Sequence, residues 1–273
     1  MQIIDCNSDT NVKSFLFKAG ETHVKLTNLK LDESTTFLIK FFTEGSLFKL
    51  AMIKDAWDRI KSGRPFAKLA IPYFPGARQD RVCNDGEPLS VKVYASFINS
   101  MQFDEVVVFD PHSDVTPALI QNCKTVDNHQ FVRDCLDGSA NYCLVSPDAG
   151  SNKKIFSLAK NLGVEVVRAD KKRNVTDGSI VGTDVFADDL SGKHCVIVDD
   201  IISGGRTFIE LAKVLKAKGS SRITLIVSHH EGVASDQSLI DAGIDQVFTT
   251  DSIYGTCISS KITTIKPVEA YIL

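Results

Sequence analysis

Along this chain, short runs of β-branched and apolar residues alternate with stretches in which apolar side chains return every three or four positions. That alternation is the pattern of βαβ units on a parallel sheet. Strands are expected at 2–6, 14–17, 23–26, 36–42, 67–73, 105–110, 142–146, 164–169, 194–198, 222–228 and 246–249. Leu50, Ile53, Trp57 and Ile60 mark the buried stripe of one helix, Val93, Phe97 and Met101 that of a second, and Ile155, Leu158 and Leu162 that of a third. Such stripes are core faces, and Trp57 is expected to serve packing. Patterning is weakest across 128–140, a turn-rich link that divides the chain into domains at 1–134 and 135–264.

The run from Cys195 to Thr207, CVIVDDIISGGRT, is the most informative segment. An apolar run without polar alternation suits a strand buried on both faces of a parallel sheet, and the glycine turn after it leads into the helical pattern TFIELAKVLKAKG. Ligands of such sheets bind beyond the carboxyl ends of the strands, where a helix N-terminus offers N–H groups to an anion. Asp199 and Asp200 suit a sugar diol, because ionised carboxylates only accept hydrogen bonds. Together, phosphate and diol read as a ribose phosphate. The segment lacks the Lys-Ser or Lys-Thr of a Walker A loop and is not the GxGxxG dinucleotide fingerprint.

VDDIISGGRT resembles the phosphoribosyl-binding loop shared by type I phosphoribosyltransferases and ribose-phosphate pyrophosphokinases. IPYFPGARQDR, GEPLSVK, VVFDPHSD, VSPDAGS and ADKKR all look like the pyrophosphokinase family and occur in its order. The resemblance implies an α/β fold of two domains like type I phosphoribosyltransferases, each a mainly parallel sheet flanked by helices. It also returns the C-terminal tail, about 265–273, to the first domain. The implied reaction moves the pyrophosphoryl group of ATP to the 1-hydroxyl of ribose 5-phosphate, which gives phosphoribosyl pyrophosphate and AMP. Mg²⁺ is the implied cofactor, and a homo-oligomer, dimer or higher, the implied assembly.

Residue roles follow from the same resemblance. Lys171 and Arg173 match a catalytic lysine and arginine of a mobile loop. Phe17 and Glu21 lie in a hairpin that holds adenine, and Arg78, Gln79 and Asp80 in a segment that holds ATP. His112 matches a histidine near Mg²⁺-ATP, and Asp148 is an oxygen ligand at a turn that can also present N–H groups to pyrophosphate. Asp148, Asp199, Asp200, Ser203, Gly204, Gly205, Arg206 and Thr207 would hold ribose 5-phosphate, with His112 and Asp148 as the metal ligands. The chain departs from the family at several positions. Ala19 replaces an Asn or Asp, and Val82 a basic residue; Ser203, Gly204 and Arg206 stand where an acid, a threonine and a second glycine are common. Arg206 either adds a phosphate contact or points to solvent. Only sixteen residues precede Phe17, so the family's opening strand and helix are compressed.

Composition narrows the partners. A formal net charge of −3 gives no general nucleic-acid surface. Seven cysteines without a CxxC pair read as reduced thiols, with Cys6, Cys123, Cys143 and Cys195 in core-like runs. Neither a targeting pattern nor an apolar stretch of membrane-spanning length occurs, which suggests a cytoplasmic protein. Two further readings compete: a non-catalytic regulatory homologue, and a phosphoribosyltransferase that consumes the sugar diphosphate. Keeping Lys171, Arg173, His112, Asp148, Asp199 and Asp200 argues against the first; the second leaves Phe17–Glu21 and Arg78–Asp80 without work.

Overall fold

The structure is a computed structural model that describes every residue except 31–33, 41, 42, 44, 61–65, 137, 139, 140, 174–179 and 254–259; at 171–173, 180 and 181 the description is of the backbone. The chain forms two compact units, one of Met1–Asp127 with 252–253 and Val268–Leu273, the other of Asn128–Asp251 with 260–267.

In chain order the first unit runs β1 (Gln2–Asp5), β2 (Val12–Leu16), β3 (Thr22–Leu26), β4 (Thr35–Leu38), α1 (Gly45–Ile60), β5 (Ala67–Ile71), α2 (Ser90–Ser100), β6 (Glu105–Phe109), α3 (Val115–Leu119) and β7 (Cys123–Val126). The second continues with α4 (His129–Cys135), β8 (Tyr142–Ser146), α5 (Asn152–Leu162), β9 (Val166–Arg173), β10 (Ile180–Val185), β11 (His194–Ile202), α6 (Arg206–Ala217), β12 (Arg222–His230), α7 (Asp236–Asp241), β13 (Gln246–Thr250) and β14 (Thr263–Lys266). Helix α8 (Glu269–Ile272) returns to the first unit, where Tyr271 stacks on Phe109 at 6.2 Å and Glu269 pairs with Lys40 at 3.0 Å.

Unit 1 is built on a parallel five-stranded sheet, β1-β4-β5-β6-β7, with the β2–β3 hairpin as a separate antiparallel ribbon. Trp57 is buried edge-on against Phe37 at 5.5 Å, the packing role its spacing predicts. Of the stripe expected on α2, Met101 is buried and Phe97 packs half-buried against the core, but Val93 is exposed; Val91, Ala95 and Ile98 complete the inward face.

Unit 2 carries a seven-stranded sheet, β10-β9-β8-β11-β12-β13-β14, parallel except for β10 at its edge. Central β11 is buried from Cys195 to Val198, as its unbroken apolar run requires. Phe208, Leu211, Ala212 and Leu215 return at helical spacing and bury one face of α6, each large side chain contributing about 1.5–3 kcal/mol. Helix α5 stops at Gly163, which takes the left-handed conformation (φ 69°) that ends helices. Among the cysteines expected in cores, Cys6, Cys143 and Cys195 are buried, whereas Cys123 is only half-buried on the edge strand β7. The division falls at 127/128 rather than 134/135, because 129–135 folds into a helix that buries Phe131 and Val132 in unit 2. Among the described residues no helix is long and apolar enough to cross a membrane.

Candidate active site

In unit 2 the acids and glycines singled out in the sequence meet at one sheet edge. Strand β11 does not end at Val198; it runs to Ile202 because β12 continues beside it, with Ile201 opposite His229 and Ile202 opposite His230. Asp199 and Asp200 are therefore strand residues at the carboxyl end of the sheet, both half-buried. Asp199 Oδ1 accepts a hydrogen bond from the Asp200 N–H at 3.0 Å. Burial, followed by the negative charges of Asp200 and Asp148, pushes the Asp199 carboxyl well above the usual carboxylate range. Three acids thus share one patch of field at the ends of neighbouring strands β8 and β11.

Asp148 is held firmly. Its Oδ1 accepts the Ser151 N–H at 3.1 Å, and its carbonyl accepts the hydroxyls of Ser151 at 2.9 Å and Ser146 at 3.2 Å. This Ser–Asp–Ser frame fixes the turn before α5.

Beyond β11, Ser203, Gly204 and Gly205 lead into α6. Gly205 takes φ +76°, and a Cβ there would lie 3.3 Å from Ala234 Cβ and 3.4 Å from Leu239 Cδ2. Both the backbone conformation and the packing demand glycine at this point. Gly204 differs: a Cβ there meets nothing within 4 Å. Gly205→Ala should therefore cost about 1–3 kcal/mol and lower the melting temperature by several degrees, while Gly204→Ala costs far less; differential scanning calorimetry of the two variants checks this. Backbone N–H groups of Gly204, Gly205, Arg206, Thr207 and Phe208 make no backbone hydrogen bond among the described residues. The hydroxyls of Ser203 and Thr207 and the exposed guanidinium of Arg206 likewise have no partner there. The result is a ring of donors around a helix N-terminus, the arrangement that takes a phosphate.

The backbone of Lys171 and Arg173, expected on a mobile loop, lies within β9, which extends to Arg173 through antiparallel pairing of Lys171 with Thr183 in β10. Their side chains lie outside the described residues.

Unit 1 places its candidates on loops at strand ends and on the hairpin. Phe17 is half exposed at the β2–β3 turn, closed by bonds from the Phe17 N–H to the Glu21 carbonyl and from the Gly20 N–H to the Phe17 carbonyl, both 2.8 Å. Its ring lies 5.2 Å from Phe15 and 5.6 Å from His23, so three aromatic rings share one face of the ribbon. Glu21 is exposed. Arg78 is exposed, and Gln79 and Asp80 are half-buried on the loop after β5. Glu87 braces that loop: its carboxylate accepts the N–H groups of Cys83 and Asn84 and the Asn84 amide at 2.8–3.2 Å, which holds it below its usual range. The pattern GEPLSVK gives Glu87 no role by itself; these local hydrogen bonds supply one.

His112 is exposed on the loop after β6. Just before it, Asp110 is buried at a positive φ of 39°, which only the loop's tertiary setting enforces. No feature of the pattern EVVVFD announces that strain.

Comparison with known proteins places these features in a family. Residues 129–260 match the phosphoribosyl transferase domain family. A ribose-phosphate pyrophosphokinase of Vibrio parahaemolyticus is 33% identical over 249 residues, covering 87% of this chain and 77% of the relative. Ribose-phosphate pyrophosphokinase 2 of Archaeoglobus fulgidus is 33% identical over 199 residues, covering 72% and 70%. In three dimensions the chain is similar to phosphoribosylpyrophosphate synthetase from Mycobacterium smegmatis, with a TM-score of 0.77 at 20% identity, covering 95% of this chain and 86% of that one; this likeness carries the fold, two units of phosphoribosyltransferase type. One residue in three preserved across most of both chains, on that fold, means that the chain belongs to the ribose-phosphate pyrophosphokinase family.

Proposed function

We propose that the protein transfers the β,γ-pyrophosphoryl group of ATP to the 1-hydroxyl of a ribose 5-phosphate, giving the sugar 1-diphosphate and AMP. The observation that carries this reading is the edge at β11, where two carboxylates precede a ring of unbonded donors. Acceptors beside donors match a diol beside a phosphate. In the reaction the sugar O1 bonds to the β-phosphorus, and the bond from that phosphorus to the α,β-bridging oxygen breaks. AMP leaves with the bridging oxygen, and the hydroxyl proton is lost to solvent.

Such a transfer depends on positioning and on neutralising charge over phosphoryl oxygens. Asp199 and Asp200 orient the acceptor through its ring hydroxyls. Ser203, Thr207 and the N–H groups from Gly204 onward hold its 5-phosphate. Phe17 and Glu21 would take the adenine, and Arg78, Gln79 and Asp80 the rest of the nucleotide. Lys171 and Arg173 supply positive charge to the transferring group.

Mg²⁺, when bound, would neutralise triphosphate oxygens. It is commonly held by one or two carboxylates together with substrate phosphates. Asp148 fits that habit, since it is a fixed oxygen donor within a patch whose excess negative charge raises Asp199; His112 offers a nitrogen, a poorer donor for this ion. The reading also carries a cytoplasmic homo-oligomer, and sedimentation measures the assembly.

A coupled assay with MgATP and ribose 5-phosphate tests the function. AMP should appear only when the sugar is present. ATP binding without turnover would favour a regulatory homologue, and base-dependent loss of phosphoribosyl pyrophosphate a phosphoribosyltransferase.

A further inference from the structure

We infer that the sugar-phosphate loop is shaped for an acceptor whose 5-phosphate carries a second phosphate, free or esterified. The inference rests on the assignment of Ser203–Thr207 to the 5-phosphate made above. The ring of donors at the start of α6 already suffices for one phosphate: the free N–H groups from Gly204 to Phe208, two unpartnered hydroxyls and the positive end of the helix. Arg206 adds a full positive charge to that end. A cation at a helix N-terminus is repelled by the aligned peptide dipoles, so Arg206 is unfavourable there unless an anion offsets it. Among the described residues no carboxylate does so, for the guanidinium is exposed and has no partner there.

Space points the same way. On the inner side the loop is closed, since Ala234, Leu239 and Ile202 crowd the Cα of Gly205. On the outer side it is open, because Gly204 is exposed and nothing lies within 4 Å of where its side chain would start. Arg206, exposed at the start of α6, stands two residues on from this open position, so its charge is available to an addition to the bound phosphate. Ser203 contributes too: where related loops commonly carry an acid, it removes the negative charge that would repel a second phosphate. The ligand class is a ribose with a free 1-hydroxyl and a 5-diphosphate, either terminal or linked to a nucleoside. The transfer is otherwise unchanged: O1 bonds to the β-phosphorus of ATP, the α,β-bridging bond breaks, AMP departs, and the hydroxyl proton goes to solvent.

The test measures kcat/KM at saturating MgATP for ribose 5-phosphate, ribose 5-diphosphate and ADP-ribose, with AMP release as the readout. At least one diphosphate should exceed ribose 5-phosphate by about tenfold or more, the size of one charge-assisted contact. A better rate for ribose 5-diphosphate assigns a terminal second phosphate, and a better rate for ADP-ribose an esterified one. Arg206→Gly, and Arg206→Gln as a variant kinder to the helix, should shrink the ratio of diphosphate to monophosphate about tenfold. Equal or better use of ribose 5-phosphate by the unaltered protein, or a ratio that neither variant moves, overturns the inference while the proposed reaction stands. AMP from none of the three acceptors overturns the reaction and the inference together.

Discussion

Replacing Lys171 by Ala is expected to lower turnover by about 10³-fold or more while the dissociation constant for ATP stays within about threefold. The transferring pyrophosphoryl group spreads negative charge over its oxygens as the bond to the α-phosphate loosens. A cation that meets this charge mainly at that moment stabilises the transition state and not bound ATP. Lys171 stands inside β9, paired through its backbone with Thr183 of the edge strand β10, close to the sheet end that carries Asp148 and Asp199. Steady-state kinetics beside calorimetric titration of ATP separates the two quantities. Unchanged turnover removes Lys171 from the mechanism, and a large loss of ATP affinity recasts it as a binding residue.

The second large effect belongs to Asp199. Asp199→Asn is expected to raise KM for the acceptor sugar by about 10–100-fold, the worth of a hydrogen bond to a charged group, with KM for ATP little changed. The same substitution should stabilise the protein without ligand. The folded carboxyl holds its proton more tightly than the unfolded chain, because burial and the neighbouring charges of Asp200 and Asp148 disfavour the ion. Its favourable contribution is complete below the unfolded value near pH 4 and is lost as pH rises through the raised folded value. Asparagine does not ionise and can still accept the Asp200 N–H. The variant should melt higher than the natural protein at pH 8, and the difference should close towards pH 4. Lower affinity with higher stability is the mark of a residue kept for function at a cost to the fold. A melting temperature that falls at pH 8 would show that Asp199 serves the fold instead.

Much of the architecture was legible in the chain. The unbroken run at Cys195–Val198 announced a central parallel strand, and the spacing of Leu50, Ile53, Trp57 and Ile60 announced a packed helix; the run and the first three of these are buried as read, whereas Ile60, the last residue of α1, is exposed. Misreadings occurred where partners far along the sequence decide the outcome. Asp199–Ile202 is extended because β12 continues alongside it, and Lys171–Arg173 because β10 folds back on it; neither pairing leaves a local trace. Strands β7, β10 and β14 escaped because CKTV, IVGTDV and TTIK are short, polar or broken by glycine, and sheet pairing overrides weak propensity.

The candidate site divides in the same way. VDDIISGGRT and SPDAGS could be read because acids and glycines at strand ends have few structural uses, whereas the bracing role of Glu87 and the strained Asp110 arise from loop geometry. The open side of Gly204 and the crowded side of Gly205 look alike as letters. Only the neighbours Ala234 and Leu239 tell them apart.

The most direct test of the central claim is a ³¹P NMR time course of the protein with MgATP and a ribose 5-phosphate acceptor. The account predicts that AMP and a sugar 1-diphosphate grow in equal amounts as ATP disappears. Formation of ADP with a sugar 1-monophosphate, or loss of ATP that does not depend on the sugar, would contradict it.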